Sequence, residues 1–147
     1  MSNFDSQIVL DWWNKLKDDS GSRAELRRAS GPTEVVFQPV FHELVGKLES
    51  AKHEALACVS GLCAHVKEHA GGSSLAKQMA EYGKISDLRF RRLLAILNLD
   101  DLYRVMIRII RLLGNSVNIA SLAEIVYWWN DRTKKELAFE YYKYLKE

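Results

Sequence analysis

The chain has little cysteine, no long apolar run and no sign of a secretory leader. Two cysteines among 147 residues are too few for the disulfide framework of a small secreted domain. No apolar stretch approaches the ~20 residues that a membrane-spanning helix needs. The N-terminal segment MSNFDSQIVLDWW is acidic and lacks a small-residue cleavage site. We therefore expect a cytoplasmic protein without a membrane partner.

Motifs of catalysis are absent from the sequence as well. There is no phosphate-binding glycine loop, no nucleophile elbow and no paired acidic motif of the kind that holds nuclease metals. We expect no catalytic residue, no cofactor and no small-molecule substrate. The chain is therefore predicted not to be an enzyme.

Four residues, Cys58, Cys63, His65 and His69, come nearest to a metal site. The two histidines are four residues apart and would share a helical face, whereas the two cysteines lie roughly 140° apart around a helix. The four side chains cannot easily reach one tetrahedral ion. The glutamate of HVKEH is also misplaced for the HExxH metalloprotease motif. We expect no metal, and instead buried cysteines and solvent-facing histidines.

No stretch of any length alternates apolar and polar residues as a strand does, so the sequence predicts an all-α fold. Apolar periodicity and capping residues predict helices over residues 6–17, 23–29, 39–48, 51–69, 75–82, 100–113, 119–130 and 133–146, with another after Ser86. The proposed N-terminal caps are Asp5, Ser22, Ser50, Ser86, Asp100, Asn118 and Thr133. Gly114 stands where a glycine typically ends a helix.

The run AGGSS at residues 70–74 is the only flexible segment long enough to separate two lobes. We predict two packed helical bundles, an N-terminal lobe of residues 1–70 and a C-terminal bundle of residues 74–147. Each contains a pair of adjacent tryptophans, at residues 12–13 and 128–129. Because neighbouring helical residues point about 100° apart, we expect one tryptophan of each pair in the core. The other would lie at a lobe or subunit contact.

The net positive charge is small, but basic residues are concentrated in one stretch. The net charge is only +2, yet residues 77–123 carry 8 Lys or Arg against 4 Asp or Glu, whereas residues 1–76 carry 8 against 10. A local excess of this kind can form the electrostatic footprint of a nucleic-acid-binding protein. The C-terminal bundle, which contains the excess, is therefore expected to carry a basic patch.

Arg104, Arg108 and Arg111 follow one another at i, i+4 and i+7, which places them within an arc of roughly 60° on one helix. The planar guanidinium fork binds two phosphate or carboxylate oxygens at once, so a row of arginines opposite an apolar face is typical of an anion-binding helix. An alternative is a solvated face that pairs with nearby carboxylates. The apolar residues on the other side are Met106, Ile109, Ile110 and Leu113.

Two other segments carry clustered arginines. The predicted helix after Ser86 has three arginines outside its apolar arc. The predicted helix over residues 23–29 begins with one arginine and has two more, and two of these three share a face. For the N-terminal cluster, an intramolecular salt-bridge role is about as plausible as a binding role. These residues are Arg89, Arg91 and Arg92 in the first segment, and Arg23, Arg27 and Arg28 in the second.

The order of the motifs resembles a known family. The segments are WWNKL, GSRAELRRA, GP, PVFHELV, GKISDLRFRRLLA, DDLYRVMIRIIRLL, VNIASLAEIVYWWN and FEYY. Taken in this order, over nearly the whole chain, they resemble the CasB-type small subunit of the type I-E CRISPR effector complex, Cascade. No single motif is chemically diagnostic, and the ordered set is what carries the resemblance.

The resemblance implies a non-catalytic, two-bundle helical protein. Two copies would pack head to tail beside the large and backbone subunits, and would hold guide RNA, target DNA and the displaced strand through basic residues. The run at residues 70–74 is short, which puts in doubt any contact that the family makes through a longer linker. The family's basic positions would fall on Arg27, Arg28, Lys84, Arg89 and Arg108. The helical faces alone suggest Arg23, Arg91, Arg92, Arg104 and Arg111.

Two other functions are compatible with the same residues. One is a helical adaptor whose arginines meet an acidic protein partner. The other is a helix-turn-helix regulator, which needs polar base-reading residues such as Asn or Gln at the start of a recognition helix. The helix that begins DDLYR would instead bring carboxylates towards phosphates, so the regulator ranks last.

Overall fold

The computed structural model describes residues 4–49 and 51–145, and these residues form ten α-helices. The prediction of a mostly helical protein is confirmed. No helix in the described part of the chain is long and apolar enough to cross a membrane. The helices are α1 Ser6–Lys17, α2 Ser20–Arg28, α3 Pro32–Val35, α4 Pro39–Lys47, α5 His53–Cys63, α6 Leu75–Ala80, α7 Asp87–Leu94, α8 Leu99–Leu112, α9 Ile119–Tyr127 and α10 Asp131–Tyr144.

A short parallel ladder contradicts the expectation that the chain has no strand. β1 Glu68–His69 pairs with β2 Ser116–Val117. The predicted helix over residues 51–69 is therefore too long, because α5 ends at Cys63 and the chain continues into β1. Two-residue strands leave no alternating pattern in the sequence, so periodicity could not reveal them.

Helix α5 is the centre of the core. Its residues from Ala55 to Cys63 are all buried, and it packs against α2, α3, α4, α8 and α9. A helix that is buried on every side belongs to the interior of the protein. Leu56, Val59, Leu62, Cys63 and Val66 all face inward.

The tryptophan prediction is wrong for both pairs. Trp12 and Trp13 are 2% and 1% exposed, because α1 packs against α2 and α4 as well as α9. Their indole Nε1–H groups donate to the carbonyls of Val40 and Cys63, each at 3.0 Å. Trp128 and Trp129 are both only half-buried. The pattern of one helix does not show how many of its sides the other elements cover.

Several helix boundaries differ from their predictions. The caps Asp5, Ser86 and Asn118 are confirmed, whereas α2, α8 and α10 begin earlier than predicted. In each of these three helices an upstream Asp or Asn accepts the N–H of the residue three positions on, so it caps the helix before the predicted residue can. The true caps are Asp19, Asn98 and Asn130, in place of Ser22, Asp100 and Thr133. Ser50 lies outside the described residues.

Candidate nucleic-acid interface

Helix α8 has the two faces that its sequence predicts. Met106, Ile109, Ile110 and Leu113 are buried, and the three arginines on the opposite side are exposed. Arg104 forms an ion pair with Asp101. Arg108 and Arg111 make no side-chain hydrogen bond or ion pair with any residue in the described part of the chain. Two of the three guanidinium groups are therefore available to an external anion.

The C-terminal end of α8 fixes the position of Arg111. Gly114 (φ +74°) and Asn115 (φ +61°) both adopt the left-handed conformation. The N–H of Gly114 donates to the Arg111 carbonyl at 3.0 Å and that of Asn115 to the Ile110 carbonyl at 2.9 Å, which is a Schellman motif. The Asn115 carbonyl then accepts the N–H of Lys67 at 2.8 Å. Arg111 is thus held beside the segment that follows α5.

Helix α2 is attached to the same segment. Arg23 donates from Nε to the Ala64 carbonyl at 3.0 Å and from Nη2 to the Val66 carbonyl at 3.2 Å. This arginine satisfies carbonyls just beyond the end of α5, where a positive charge also interacts favourably with the helix dipole. Arg28 forms an exposed ion pair with Glu25 at 3.0 Å. Arg27 is exposed and has no such partner among the described residues.

The Tyr103 side chain of α8 packs against α5 at Gly61 and reaches the residue that follows α2. The Tyr103 hydroxyl donates to the Ala29 carbonyl at 3.2 Å. A Cβ atom placed on Gly61 would lie 2.7 Å from the Tyr103 oxygen and 2.9 Å from Cγ2 of Val35. Glycine at this position therefore permits the close approach that sets α8 relative to α2.

These contacts bring together arginines that are far apart in the sequence. An open cleft of roughly 390 Å³, here called the basic cleft, is lined by Ala24, Arg27, Arg28, His65 and Arg111. Because Arg27 and Arg111 come from different helices and have no side-chain partner in the described part of the chain, an anion in the cleft can meet guanidinium groups from both sides. The structure thus unites three of the predicted binding residues.

His65 lies in the basic cleft, and sequence reasoning missed it. The residue is half-buried rather than solvent-facing, so that expectation is wrong. Burial, followed by repulsion from Arg111, Arg27 and Arg23, lowers the pKa of His65 to about 4. The ring is therefore neutral at pH 7. Nothing in the sequence near residue 65 indicates that the end of α8 lies against it.

The other metal-site candidates also have structural positions. His69 is half-buried, not solvent-facing, and its Nδ1 accepts the N–H of Ile119 at 3.1 Å. Cys58 and Cys63 are fully buried, as predicted. Burial raises the pKa of Cys63 to about 12 and raises that of Cys58 as well. The described residues include no group of three or more potential metal ligands.

The arginines of α7 lie on a different surface. Phe90 on the buried side of α7 stacks on Tyr141 of α10 with ring centroids 3.8 Å apart. The Asp87 carboxylate accepts Arg91 Nε at 3.2 Å and the Tyr142 hydroxyl at 2.5 Å. The remaining basic side chains of this region are exposed and make no such contact within the described residues. We call them the α7 surface: Lys84, Arg89 and Arg92.

Comparison with known proteins assigns the chain to a family. A model described as CRISPR-associated protein Cse2 matches residues 22–142. The CRISPR system Cascade subunit CasB of Escherichia coli (strain K12) is 26% identical over 149 residues, covering 90% of this chain and 89% of that protein. A chain in the crystal structure of E. coli Cascade bound to a PAM-containing dsDNA target matches with a TM-score of 0.73 and 25% identity, covering 92% of this chain and 94% of that chain.

The chain therefore belongs to the Cse2 family of CRISPR-associated proteins. This family forms the small subunit of type I-E Cascade, so the resemblance seen in the order of the motifs is confirmed. Its members are non-catalytic structural subunits. The family match does not identify the side chains that touch nucleic acid, and the ten predicted binding residues stay predictions.

Proposed function

We propose that the chain is a non-catalytic subunit of a CRISPR RNA-guided interference complex that holds nucleic acid through its basic helix faces. The observation that carries this proposal is the set of exposed arginines that make no side-chain hydrogen bond or ion pair within the described residues, above all Arg108 and Arg111 on α8 and Arg27 on α2. Arginines without carboxylate partners are suited to bind phosphate, because the fork contacts two oxygens and the charge releases counterions.

The proposed partners are guide RNA, target DNA and the displaced strand. In RNA-guided recognition, base pairing reads the sequence, and protein side chains hold the backbone. The structural relative lies in a complex bound to a double-stranded DNA target, which supports a similar setting for this chain. We further propose contacts with the large and backbone subunits and with a second copy of the chain. Such a subunit works where invading DNA is met, in the cytoplasm.

The division into residues 1–70 and residues 74–147 belongs to the same proposal. We propose that these two lobes are helical bundles that pack against each other and unfold as one unit. α1 packs against α9, and α5 packs against α8 and α9, so the apolar contacts of each part include the other. A single melting transition is expected, and two separate transitions would indicate lobes that fold alone.

A salt titration of DNA binding tests the proposed function. With about 4–6 phosphates neutralised, log K should fall against log salt with a slope of roughly −3 to −5, with little preference among sequences. Arg108→Ala should weaken binding to every sequence by about 0.5–1 kcal/mol, because this arginine is exposed and solvent weakens its contacts, and should make the slope shallower by about one unit.

The matched control is Arg132→Ala, which removes another exposed arginine, one whose partner is Glu136 on the same helix. This variant should bind as the parent does. If both variants lose the same affinity, net charge rather than the α8 face is responsible. If neither changes the salt slope, and an acidic protein is retained from nuclease-treated lysate, the adaptor function replaces this one.

A further inference from the structure

We propose that the basic cleft is a site for one phosphodiester group, and that His65 is one of the residues that binds it. This inference rests on the proposed function, but it assigns a defined subsite and a residue that the arginine pattern does not include. In the site, guanidinium groups of Arg27 and Arg111 contact the phosphate from two helices. The imidazole of His65 donates a hydrogen bond to it from the floor of the cleft.

The histidine ring has one nitrogen that is buried and one that is not. Nε2 is the one side-chain polar atom in the described part of the chain that is buried without a hydrogen-bond partner. Nδ1 makes no hydrogen bond to these residues either, but it is not buried, and the residue lines the cleft. The tautomer with its hydrogen on Nδ1 can therefore donate to an anion in the cleft without any change of charge.

A purely structural role for Arg27 and Arg111 agrees less well with their contacts than a binding role does. The cleft lies near the C-terminal ends of α2, α5 and α8, where basic side chains often satisfy exposed carbonyls. Arg23 already has this role, because it donates to Ala64 and Val66. Arg27 and Arg111 donate to no carbonyl in the described residues, and Glu25 is the only carboxylate that an arginine of the cleft contacts. Their charges therefore remain available to a ligand.

Phosphate binding should change the protonation of His65. The charged groups that face the ring are Arg23, Arg27 and Arg28 from α2 and Arg111 from α8, together with the ring of Tyr103. All of the charges are positive, and with burial they keep the pKa of the free protein low, at about 4. A bound anion offsets this repulsion, so the pKa rises on binding. Affinity should then increase as pH falls through the bound-state pKa, whereas above that pKa the titration of His65 should no longer affect it.

Proton NMR of His65 in the intact chain tests the site. The ring signal is assigned with His65→Gln, and its pKa is measured alone, with inorganic phosphate and with a short oligothymidylate. We expect both ligands to raise the pKa, phosphate less than the oligonucleotide. In Arg111→Ala the ligand-induced rise should be largely lost, although the free pKa should itself be higher. His53→Gln, which changes an exposed histidine, is the control and should leave the response intact.

Binding measurements provide the second arm. His65→Gln keeps a neutral donor, so it should keep the affinity at pH 7.5 but lose the part of the pH dependence that the control variant retains. His65→Ala should bind more weakly than the parent both at pH 7.5 and at a pH below the bound-state pKa of His65. A phosphate-induced rise without any oligonucleotide binding would support the site and contradict the proposed function. Oligonucleotide binding that leaves the His65 pKa unchanged, or no response to either ligand, would overturn the site.

Discussion

The basic cleft and the α7 surface carry similar charges on different supports. The cleft is concave, and its arginines come from α2 and α8. Arg23 and Asn115 attach these helices to the segment at the end of α5, and Tyr103 bonds α8 to Ala29 just after α2. The α7 surface consists of one side of an eight-residue helix, whose other side packs on α10, together with Lys84 just before that helix. Arginines fixed in a shared geometry can act on one phosphate together, whereas arginines on a convex face act independently. Equal charge therefore does not imply equal contribution to binding.

The largest effect is expected on stability, from a substitution on the buried face of α8, the helix that carries Arg111 of the cleft. Ile110→Ala should lower the free energy of unfolding by about 2–5 kcal/mol, because Ile110 is completely buried and the substitution leaves a cavity. Thermal or urea denaturation measures the change. The control is Leu112→Ala on the same helix, where the side chain is 45% exposed and the loss should be much smaller. Similar losses in both would mean that α8 does not pack as described.

Gly61→Ala should separate α8 from α5 and so disturb the cleft without altering any arginine. The added methyl group would overlap Tyr103 and Val35, and overpacking of this kind costs about 1–3 kcal/mol. The control is Gly46→Ala on α4, where a Cβ meets nothing within 4 Å, so helix propensity should stabilise the chain by up to about 1 kcal/mol. Opposite signs in the two melts are expected, and a stabilising Gly61→Ala would contradict the close approach.

A double-mutant cycle compares the two surfaces directly. Arg111→Ala should weaken binding of a DNA oligonucleotide by about 1.5 kcal/mol. Because Arg27 and Arg111 share one phosphate, their losses should not add, and the interaction term should be at least about 0.5 kcal/mol. Arg111 and Arg89 belong to separate surfaces, so their losses should add. Additive losses in the first pair would mean that the cleft does not act as a unit.

The smallest effect is expected on the α7 surface itself. Arg89→Ala should reduce affinity by about 0.5–1 kcal/mol, because an exposed contact to phosphate is weakened by solvent and salt. Arg91→Ala should do less, since Asp87 already neutralises that guanidinium. Titration at two salt concentrations should show that the Arg89 effect shrinks as salt rises. An Arg91 effect larger than the Arg89 effect would reverse this assignment.

Features that depend on one helix alone could be predicted from the sequence. The exposed row and buried face of α8, and the glycine that ends it, follow from spacing alone. The cleft could not be predicted in this way, because it depends on long-range contacts such as that between Tyr103 and Ala29. His65 was assigned to solvent for the same reason. The pattern of residues around it does not reveal the end of a helix that comes much later in the chain.

The parallel ladder between β1 and β2 has a consequence for the order of folding. Its paired residues, such as Glu68 and Ser116, are 48 positions apart in the sequence, and closing a loop of that length has an entropic cost that only later contacts offset. The ladder and the nearby Asn115 contacts hold the end of α8 beside α5. During synthesis, a nascent chain that ends before Val117 would contain the arginines of the cleft, but these would not yet be held together in one site. Phosphate binding at the cleft should therefore arise late, after the long-range pairing is made.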